Sequence, residues 1–249
     1  MMTSFPIEFN FSEKTNLAVF VILITTISFI VYWFAAKSSR IHAAFYSRFS
    51  FDDASRKHIF FTKYLGFFVL GIIPLILVMV LFDVSCSDIG LTFRKETFLY
   101  SLFWTLALSV IVIPMAYFSA KKPSNLLNYP QIRAKEWTRK TFYINLLGWA
   151  IYLFGYELLF RGLLLFLIID AVGVPVAIAI NIMMYSISHV PKGLAETIGA
   201  IPLSIVLCLL TLKSGTIWIA FFVHIALSFT NSLTALKYHP EINYIHWKK

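Results

Sequence analysis

Cysteine and charge are both scarce in this sequence, and each scarcity excludes a class of protein. Only Cys86 and Cys208 occur among the 249 residues, and Cys208 stands inside the apolar run LSIVLCLLTL, so neither a disulfide framework nor a cysteine redox centre is expected. Charged residues make up 13% of the chain against 59% hydrophobic residues. A soluble core of this length would leave much of that apolar surface in water, so the composition indicates an integral membrane protein.

Several motif classes are also missing. The sequence has no glycine-rich phosphate loop, no internal repeat, no low-complexity run and no nucleic-acid-binding motif. The formal net charge of +9 does not indicate a nucleic-acid partner, because the basic residues fall in short loops between apolar runs, where they set membrane orientation. We therefore expect the lipid bilayer as a partner, no nucleic acid and no cofactor.

Hydropathy predicts an all-α, polytopic helix bundle with about seven transmembrane helices in a single membrane domain over residues 1–249. The spans are expected at residues 16–36, 64–82, 98–118, 141–170, 174–189 and 196–212, with a seventh from the turn KSGT to about residue 236. Residues 37–63 have an aromatic, mixed-charge middle that fits an interfacial helix or a solvated connection, and we interpret them as a connection.

Basic residues predict the orientation of the bundle. Lysine and arginine cluster after the first span and after the third, so both segments are expected on the cytoplasmic side, with the N-terminus outside and the C-terminus inside. The tail lysines Lys237, Lys248 and Lys249 agree with this orientation. The opening MMTSFPIEFNFSEKTN lacks a basic n-region, so the first span is expected to stay as an anchor.

Polar stripes occur on three of the long helices, the fourth, fifth and seventh spans, where apolar residues would suffice for spanning. A charged side chain in the hydrocarbon costs at least ~2.5 kcal/mol, so each needs a partner, a cavity or a chemical role. The stripes pair residues four apart, on one helix face. They are Glu157 with Arg161 in GYELLFRG, Tyr185 with His189 in YSISH, and His224 with Ser228 in HIALSFTN, followed by Asn231.

Helix rise places these stripes at a similar depth. At 1.5 Å per residue, Glu157 lies about 22 Å and His189 about 24 Å from the turn near Gly173, so the two are level. His224 lies about 15 Å from the turn near Ser214, and a modest helix offset brings it within one turn of the others. A carboxylate and two imidazoles at one depth predict a site for a polarised water or a metal.

These residues resemble the CPBP family, the CAAX-processing and bacteriocin-processing intramembrane proteases. The resemblance rests on YELLFRG, YSISH and the final histidine stripe, with DIGL before the third span, and it gives a CPBP-like core at about 88–236 after accessory spans at 16–82. It implies a multi-pass protein, with a bacterial plasma membrane as the expected location. The implied activity is glutamate-type hydrolysis of a membrane-associated or prenylated-type peptide, with no covalent intermediate.

The family pattern has two adjacent glutamates with an arginine four beyond the second, then an aromatic and a histidine, then a histidine and an asparagine. By this resemblance Glu157 is the second glutamate, Arg161 the arginine, and His189 and His224 the two histidines. In the family, the first glutamate and first histidine activate water, and the last histidine and asparagine stabilise the oxyanion.

Two positions of the pattern differ in this chain. Tyr156 stands at the first glutamate, and a phenol with an ordinary pKa near 10 is a poor base at neutral pH. Glu157 cannot simply replace it, because adjacent helical residues point about 100° apart. Ser228 stands at the asparagine and offers one hydroxyl donor, with Asn231 one turn away as a compensating group.

Alternatives stay open at this stage. The chain is either an endopeptidase with an atypical site or a catalytically degenerate relative that binds a peptide or partner as a scaffold or immunity factor. A zinc peptidase is a third possibility, although HExxH is absent. Glu157 with Arg161 also fits a structural pair, and His189 an interfacial histidine.

Two further polar features have ordinary explanations. Glu196 fits a surface pair with Lys192, although it could also lend a carboxylate to the site. Ser228 and Asn231 also fit hydrogen-bonding contacts between helices. The sequence leaves the oligomeric state open.

Overall fold

The structure is a computed structural model that describes residues 12–245, and within that range it is an all-α bundle. Seven helices are long and apolar enough to cross a membrane, which confirms the predicted fold class and span count. Their bounds are Glu13–Ala36, Phe51–Phe82, Lys95–Ala120, Arg139–Val172, Val174–Lys192, Leu194–Ser214 and Trp218–Tyr238. The orientation of the termini stays a prediction, and the opening MMTSFPIEFNF and the tail lysines Lys248 and Lys249 lie outside the described residues.

The α-helices are numbered in chain order. They are α1 Glu13–Ala36, α2 Ser39–Tyr46, α3 Phe51–Gly66, α4 Ile73–Phe82, α5 Phe98–Ala120, α6 Pro123–Leu126, α7 Arg139–Glu157, α8 Ile169–Val172, α9 Val174–Ile187, α10 Leu194–Ser214 and α11 Trp218–Tyr238. Two π-helical stretches interrupt the long spans: Phe67–Ile72 joins α3 to α4, and Leu158–Phe166, here called the π segment, follows α7. Two-residue strands, β1 Glu136–Trp137 and β2 Asn243–Tyr244, pair in parallel.

The segment between the first two spans is helical, which corrects the interpretation of residues 37–63 as a connection. Ser38 and Ser50 begin α2 and α3, because their hydroxyls accept hydrogen bonds from the backbone N–H groups three residues later. The second span therefore begins at Phe51 and not near residue 64. Its first turn also holds the loop between the third and fourth spans, since Asp52 accepts hydrogen bonds from the backbone N–H groups of Lys135 and Glu136.

The fourth span is the central helix of the bundle. Within its most apolar stretch, 78% of the residues are buried inside the protein, against 11% for the third span. The periphery presents large apolar side chains outward, and Val80, Leu99 and Val110 are each at least 74% exposed. Such a surface suits contact with lipid, because apolar side chains there need no protein partner. The most buried helix is thus the one that carries the sequence GYELLFRG.

Two glycines allow the second and fourth spans to approach closely beside that sequence. A Cβ added to Gly155 would lie 2.8 Å from the Cα of Phe67, and one added to Gly71 would lie 2.7 Å from the Cα of Gly155. Both obstacles are backbone atoms, so any side chain would force the helices apart. Small residues at such crossings are typical of membrane helices. The contact fixes the depth of Tyr156 and Glu157, which follow directly.

The DIGL turn packs against the π segment. The Asp88 carboxylate accepts hydrogen bonds from the hydroxyl and the backbone N–H of Ser85, and these bonds hold the pKa of Asp88 below its ordinary value. Ile89 is fully buried, and its carbonyl lies 3.2 Å from where a Cβ on Gly162 would stand. The turn therefore covers the helix immediately after Arg161.

Candidate active site

Glu157 is the centre of a buried charged cluster. Its Oε1 accepts a hydrogen bond from His224 Nδ1 at 2.6 Å, and its Oε2 lies 3.2 Å from Arg161 Nη1. Arg161 donates to Ser204 Oγ at 3.3 Å, and its guanidinium lies 4.2 Å from the centroid of the Tyr185 ring. Neither Glu157 nor Arg161 has any exposed surface. The carboxylate is thus used inside the protein, where it orients His224 and balances the charge of Arg161.

The local backbone explains why Glu157 and Arg161 meet the fifth and seventh spans. Glu157 ends α7 and Arg161 lies in the π segment, whose wider turns alter the directions of its side chains. The amide of Asn181 in α9 donates to the carbonyl of Phe160 within that segment. A side chain of the fifth span thereby holds the irregular backbone of the fourth in place.

His189 lies at the end of the fifth span with its ring orientation fixed. Its Nδ1 lies 2.9 Å from the backbone carbonyl of Tyr185, and the two rings are 4.7 Å apart. A carbonyl only accepts hydrogen bonds, so Nδ1 carries the hydrogen and Nε2 of the neutral ring carries the lone pair. In His224 the carboxylate of Glu157 makes Nδ1 the donor in the same way. In both imidazoles Nε2 is therefore the nitrogen left for a molecule in the neighbouring cavity.

Tyr156 points away from Glu157, as expected for neighbouring residues on a helix. Its hydroxyl lies 2.6 Å from Ser188 Oγ, and that serine also donates to the carbonyl of Tyr185. The Tyr156 ring centroid is 5.6 Å from that of His224 and 6.4 Å from that of His189. Tyr156 is buried, and its ring serves as a wall between the two imidazoles and the first half of the bundle.

Ser228 and Asn231 lie three residues apart on α11, after His224 in the chain. Asn231 Oδ1 accepts a hydrogen bond from Asn125 Nδ2 at 2.9 Å, and Asn125 also donates to the carbonyl of Ala120. With its oxygen engaged, the amino group of Asn231 remains as a donor. Asn125 lies in α6, which follows the third span in the chain, and it fixes that orientation of the Asn231 amide.

A cavity of about 450 Å³, here called the main cavity, lies between the third, fifth, sixth and seventh spans. Its walls are largely apolar and come from α5, α10 and α11. The residues predicted for the site that line it are His189, His224, Ser228 and Asn231. Glu157, Arg161 and Tyr156 do not line it, because they lie one layer deeper. The structure thus brings the predicted residues together in two layers, a lining layer and a buried layer behind it. The imidazoles of His189 and His224 lie where the two layers meet.

Glu196 supplies a carboxylate to the main cavity. It pairs with Lys192 at 3.8 Å, as the four-residue spacing predicts, and both residues line the cavity. Both side chains are about one third exposed. The surface pair and the lining role are therefore compatible. Within the part of the chain that the structure describes, Glu196 is the acidic residue of the cavity wall.

Sequence reasoning missed two supporting residues, Ser188 and Asn125. Ser188 directly precedes His189 in YSISH, and this position next to a proposed base could have identified it from the sequence. Asn125 lies in a short loop helix, and its distance of 106 residues along the chain from Asn231 left no signal. For the zinc alternative, residues 12–245 contain no group of three or more His, Cys, Asp or Glu side chains arranged to hold a metal ion.

The arrangement suits chemistry on a polarised carbonyl. Two imidazoles with oriented Nε2 atoms, an amide donor and a carboxylate surround one largely apolar cavity at the level of the membrane helices. A neutral imidazole accepts a proton from water, and amide or imidazolium donors stabilise an oxyanion. The buried pair of Glu157 and Arg161 orients one of these imidazoles without touching the cavity.

Comparisons with known proteins identify the family that part of this chain resembles. Residues 138–230 match the family model described as Rce1-like, Type II CAAX prenyl endopeptidase Rce1-like, and this match confirms the resemblance to the CPBP family. The matched range contains every residue predicted for the site except Asn231. Neither the comparison with curated proteins nor that with solved structures gave a match. The family match supports a CPBP-type intramembrane protease at family level, and with seven spans it supports an integral membrane protein.

Proposed function

We propose that this chain is a CPBP-type intramembrane endopeptidase that hydrolyses a membrane-associated or prenylated-type peptide by activating water without a covalent intermediate. The proposed core covers residues 88–236, and the proposed location is a bacterial plasma membrane. The observation that carries the proposal is that His189 and His224, fixed through Nδ1, both line the main cavity beside Asn231.

His189 is the proposed general base. The carbonyl of Tyr185 holds the hydrogen on Nδ1, so Nε2 accepts the proton of a water molecule as its oxygen adds to the scissile carbonyl. The protonated imidazole then gives this proton to the leaving amine. In this reaction His189 takes the role that the first glutamate has in the family, because position 156 is a tyrosine in this chain.

His224 and Asn231 are the proposed oxyanion donors. Glu157 accepts from His224 Nδ1 and stabilises the imidazolium form, which donates through Nε2. Asn125 holds Asn231 by its oxygen, so the amino group of Asn231 is the second donor. Ser228 supplies a hydroxyl on the same helix face, in place of the family asparagine.

Glu196 is proposed to stabilise the charge that develops on His189. Its carboxylate lines the same cavity, and the buried Tyr156 cannot supply such a charge. We expect Glu196→Gln to lower kcat for peptide hydrolysis about 10- to 100-fold, because the imidazolium loses its counter-charge. The assay uses purified protein in proteoliposomes with a membrane-anchored peptide carrying a prenylated cysteine, and the new carboxylate is detected by mass spectrometry.

The matched control for this variant is Glu96→Gln, which changes an exposed acid outside the main cavity. Its turnover should equal that of the unaltered protein. Equal turnover of Glu196→Gln and Glu96→Gln would remove Glu196 from the mechanism. Absence of turnover in the unaltered protein would overturn the proposed activity itself.

One observation favours a second function, a catalytically degenerate CPBP-like protein that binds a peptide or partner. The Tyr156 hydroxyl is engaged by Ser188, and Glu157 is enclosed by Arg161 and His224. Neither side chain reaches the main cavity, so the two positions that hold glutamates in the family supply no base there. Such a protein would hold a peptide in the cavity as a scaffold or immunity factor without cleaving it.

A further inference from the structure

A second cavity, here called the basic pocket, has a volume of about 320 Å³ and lies on the other side of Tyr156. It is enclosed by α1, α3, α7 and the turn after α9. Four basic side chains line it, Lys37, His58, Lys63 and Lys192, and none of the described residues of its wall is Asp or Glu. Lys192 has its ion-pair partner Glu196 outside this wall, so Lys37 and Lys63 are the lysines of the pocket without a carboxylate partner among the described residues.

Lys63 is the most deeply buried of these basic side chains. It is 4% exposed, and none of the described carboxylates lies within ion-pair distance of its Nζ. The Nζ lies 3.0 Å from the centroid of the Trp149 ring and 4.6 Å from that of Tyr152. A Cβ on Gly148 would stand 3.3 Å from Lys63 Cγ, so the lysine stem lies directly on α7. Aromatic faces attract an ammonium group, but they do not neutralise its charge.

Two further polar atoms in this wall lack partners. The Nε2 of His58, a residue 8% exposed, and the Nε1 of Trp149 are buried without a hydrogen-bond partner among the described residues. Both residues line the basic pocket. Buried polar atoms are normally paired, so these two indicate a missing acceptor or donor. Trp149 Nε1 is a donor only, and an acceptor that carries negative charge would satisfy both this group and the neighbouring Lys63 ammonium.

The position of the pocket suits a lipid headgroup. Lys37 and Trp33 stand at the end of the first span, and Trp149 and Tyr152 of the fourth span line the same pocket. Tryptophan, tyrosine and lysine at the ends of spans are typical of the headgroup region. Basic pockets between transmembrane helices are also typical binding sites for anionic lipids.

We propose that the basic pocket binds the phosphate group of an anionic phospholipid. The ligand is a phosphate group that carries a net negative charge and has no adjacent cation. Such a group can come from a lipid headgroup or from free phosphate. The phosphate oxygens accept from Lys63 Nζ and Trp149 Nε1, and they neutralise the cationic wall. The pocket shares Tyr129 and Lys192 with the wall of the main cavity, but phosphate binding involves no hydrolysis, so its test needs no substrate.

The experiment is native mass spectrometry of the purified full-length protein, offered equal concentrations of phosphatidylglycerol and phosphatidylcholine. The unaltered protein should bind phosphatidylglycerol preferentially. Lys63→Met keeps the apolar stem but removes the charge, and it should lower that preference about fivefold. Lys37→Gln, at an exposed position of the same pocket, should lower it about twofold with little risk to folding. The matched control is Lys122→Met, an exposed lysine outside the pocket, which should leave the preference unchanged.

Inorganic phosphate at about 10 mM distinguishes the two sources. Retention of phosphatidylglycerol in this phosphate supports the lipid as the ligand. Its displacement by phosphate would identify the soluble ion as the ligand and overturn the lipid assignment. An unchanged lipid preference in both Lys63→Met and Lys37→Gln would overturn the site, whatever the outcome of any hydrolysis assay.

Discussion

Replacing His189 with alanine is expected to lower peptide hydrolysis about 10³-fold, while the protein stays folded. The reason is that His189 Nε2 is the proposed base that accepts the proton of water, and its Nδ1 is already engaged by the carbonyl of Tyr185. Alanine leaves the cavity with no oriented acceptor at that position. The measurement is kcat for a membrane-anchored peptide in proteoliposomes, at saturating peptide.

The control for this variant is His42→Ala, which removes an exposed imidazole from α2, away from the main cavity. It should hydrolyse the peptide at the rate of the unaltered protein. The melting temperature of His189→Ala, read in the same lipid, separates a chemical loss from unfolding. Turnover of the folded His189→Ala protein within a factor of about three of the unaltered rate would exclude His189 as the base.

The second large effect is expected for Glu157→Gln, on stability. Glutamine keeps the size of the side chain but removes the charge that balances the fully buried Arg161. Leaving one partner of a buried ion pair uncompensated costs about 3–5 kcal/mol, so we expect the free energy of unfolding to fall by about that amount. The measurement is reversible chemical unfolding in mixed micelles, followed by circular dichroism.

A double substitution isolates the cause of this loss. Glu157→Leu combined with Arg161→Met removes both charges and keeps apolar volume, so it should recover most of the lost free energy. Glu96→Gln serves as the exposed control and should be neutral. If Glu157→Gln unfolds at the same denaturant concentration as the unaltered protein, the ion pair contributes nothing to the fold, and the orientation of His224 needs another explanation.

Much of the bundle follows from the sequence because the bilayer imposes simple rules. Apolar length predicted seven spans, and the four-residue spacing predicted that Glu157 and Arg161 pair. Helix rise predicted that Glu157 and His189 are level and that a modest helix offset brings His224 within one turn of them, and the contact of Glu157 with His224 agrees with this prediction. Each of these features depends on local periodicity or on distances along a straight helix.

Other features depend on packing between distant segments, which the sequence does not encode locally. Glu157 at the end of α7 and Arg161 in the π segment both point inward, so the carboxylate orients an imidazole and does not reach the cavity. Asn125 reaches Asn231 from a loop helix. The sequence also favoured a connection where α2 and α3 lie. The reason is that the composition of charged amphipathic helices at a membrane surface is similar to that of a solvated loop.

We propose that this cavity hydrolyses a peptide with histidine as base, although Tyr156 stands at the family's first glutamate and Ser228 at its asparagine. The most direct test of this claim is turnover of one membrane-anchored peptide by the unaltered protein and by the variant that combines Tyr156→Glu with Ser228→Asn. We predict that the unaltered protein already cleaves and that the variant differs from it by less than about tenfold. Cleavage by the variant alone, with the unaltered protein only binding the peptide, would contradict the claim and identify a degenerate relative.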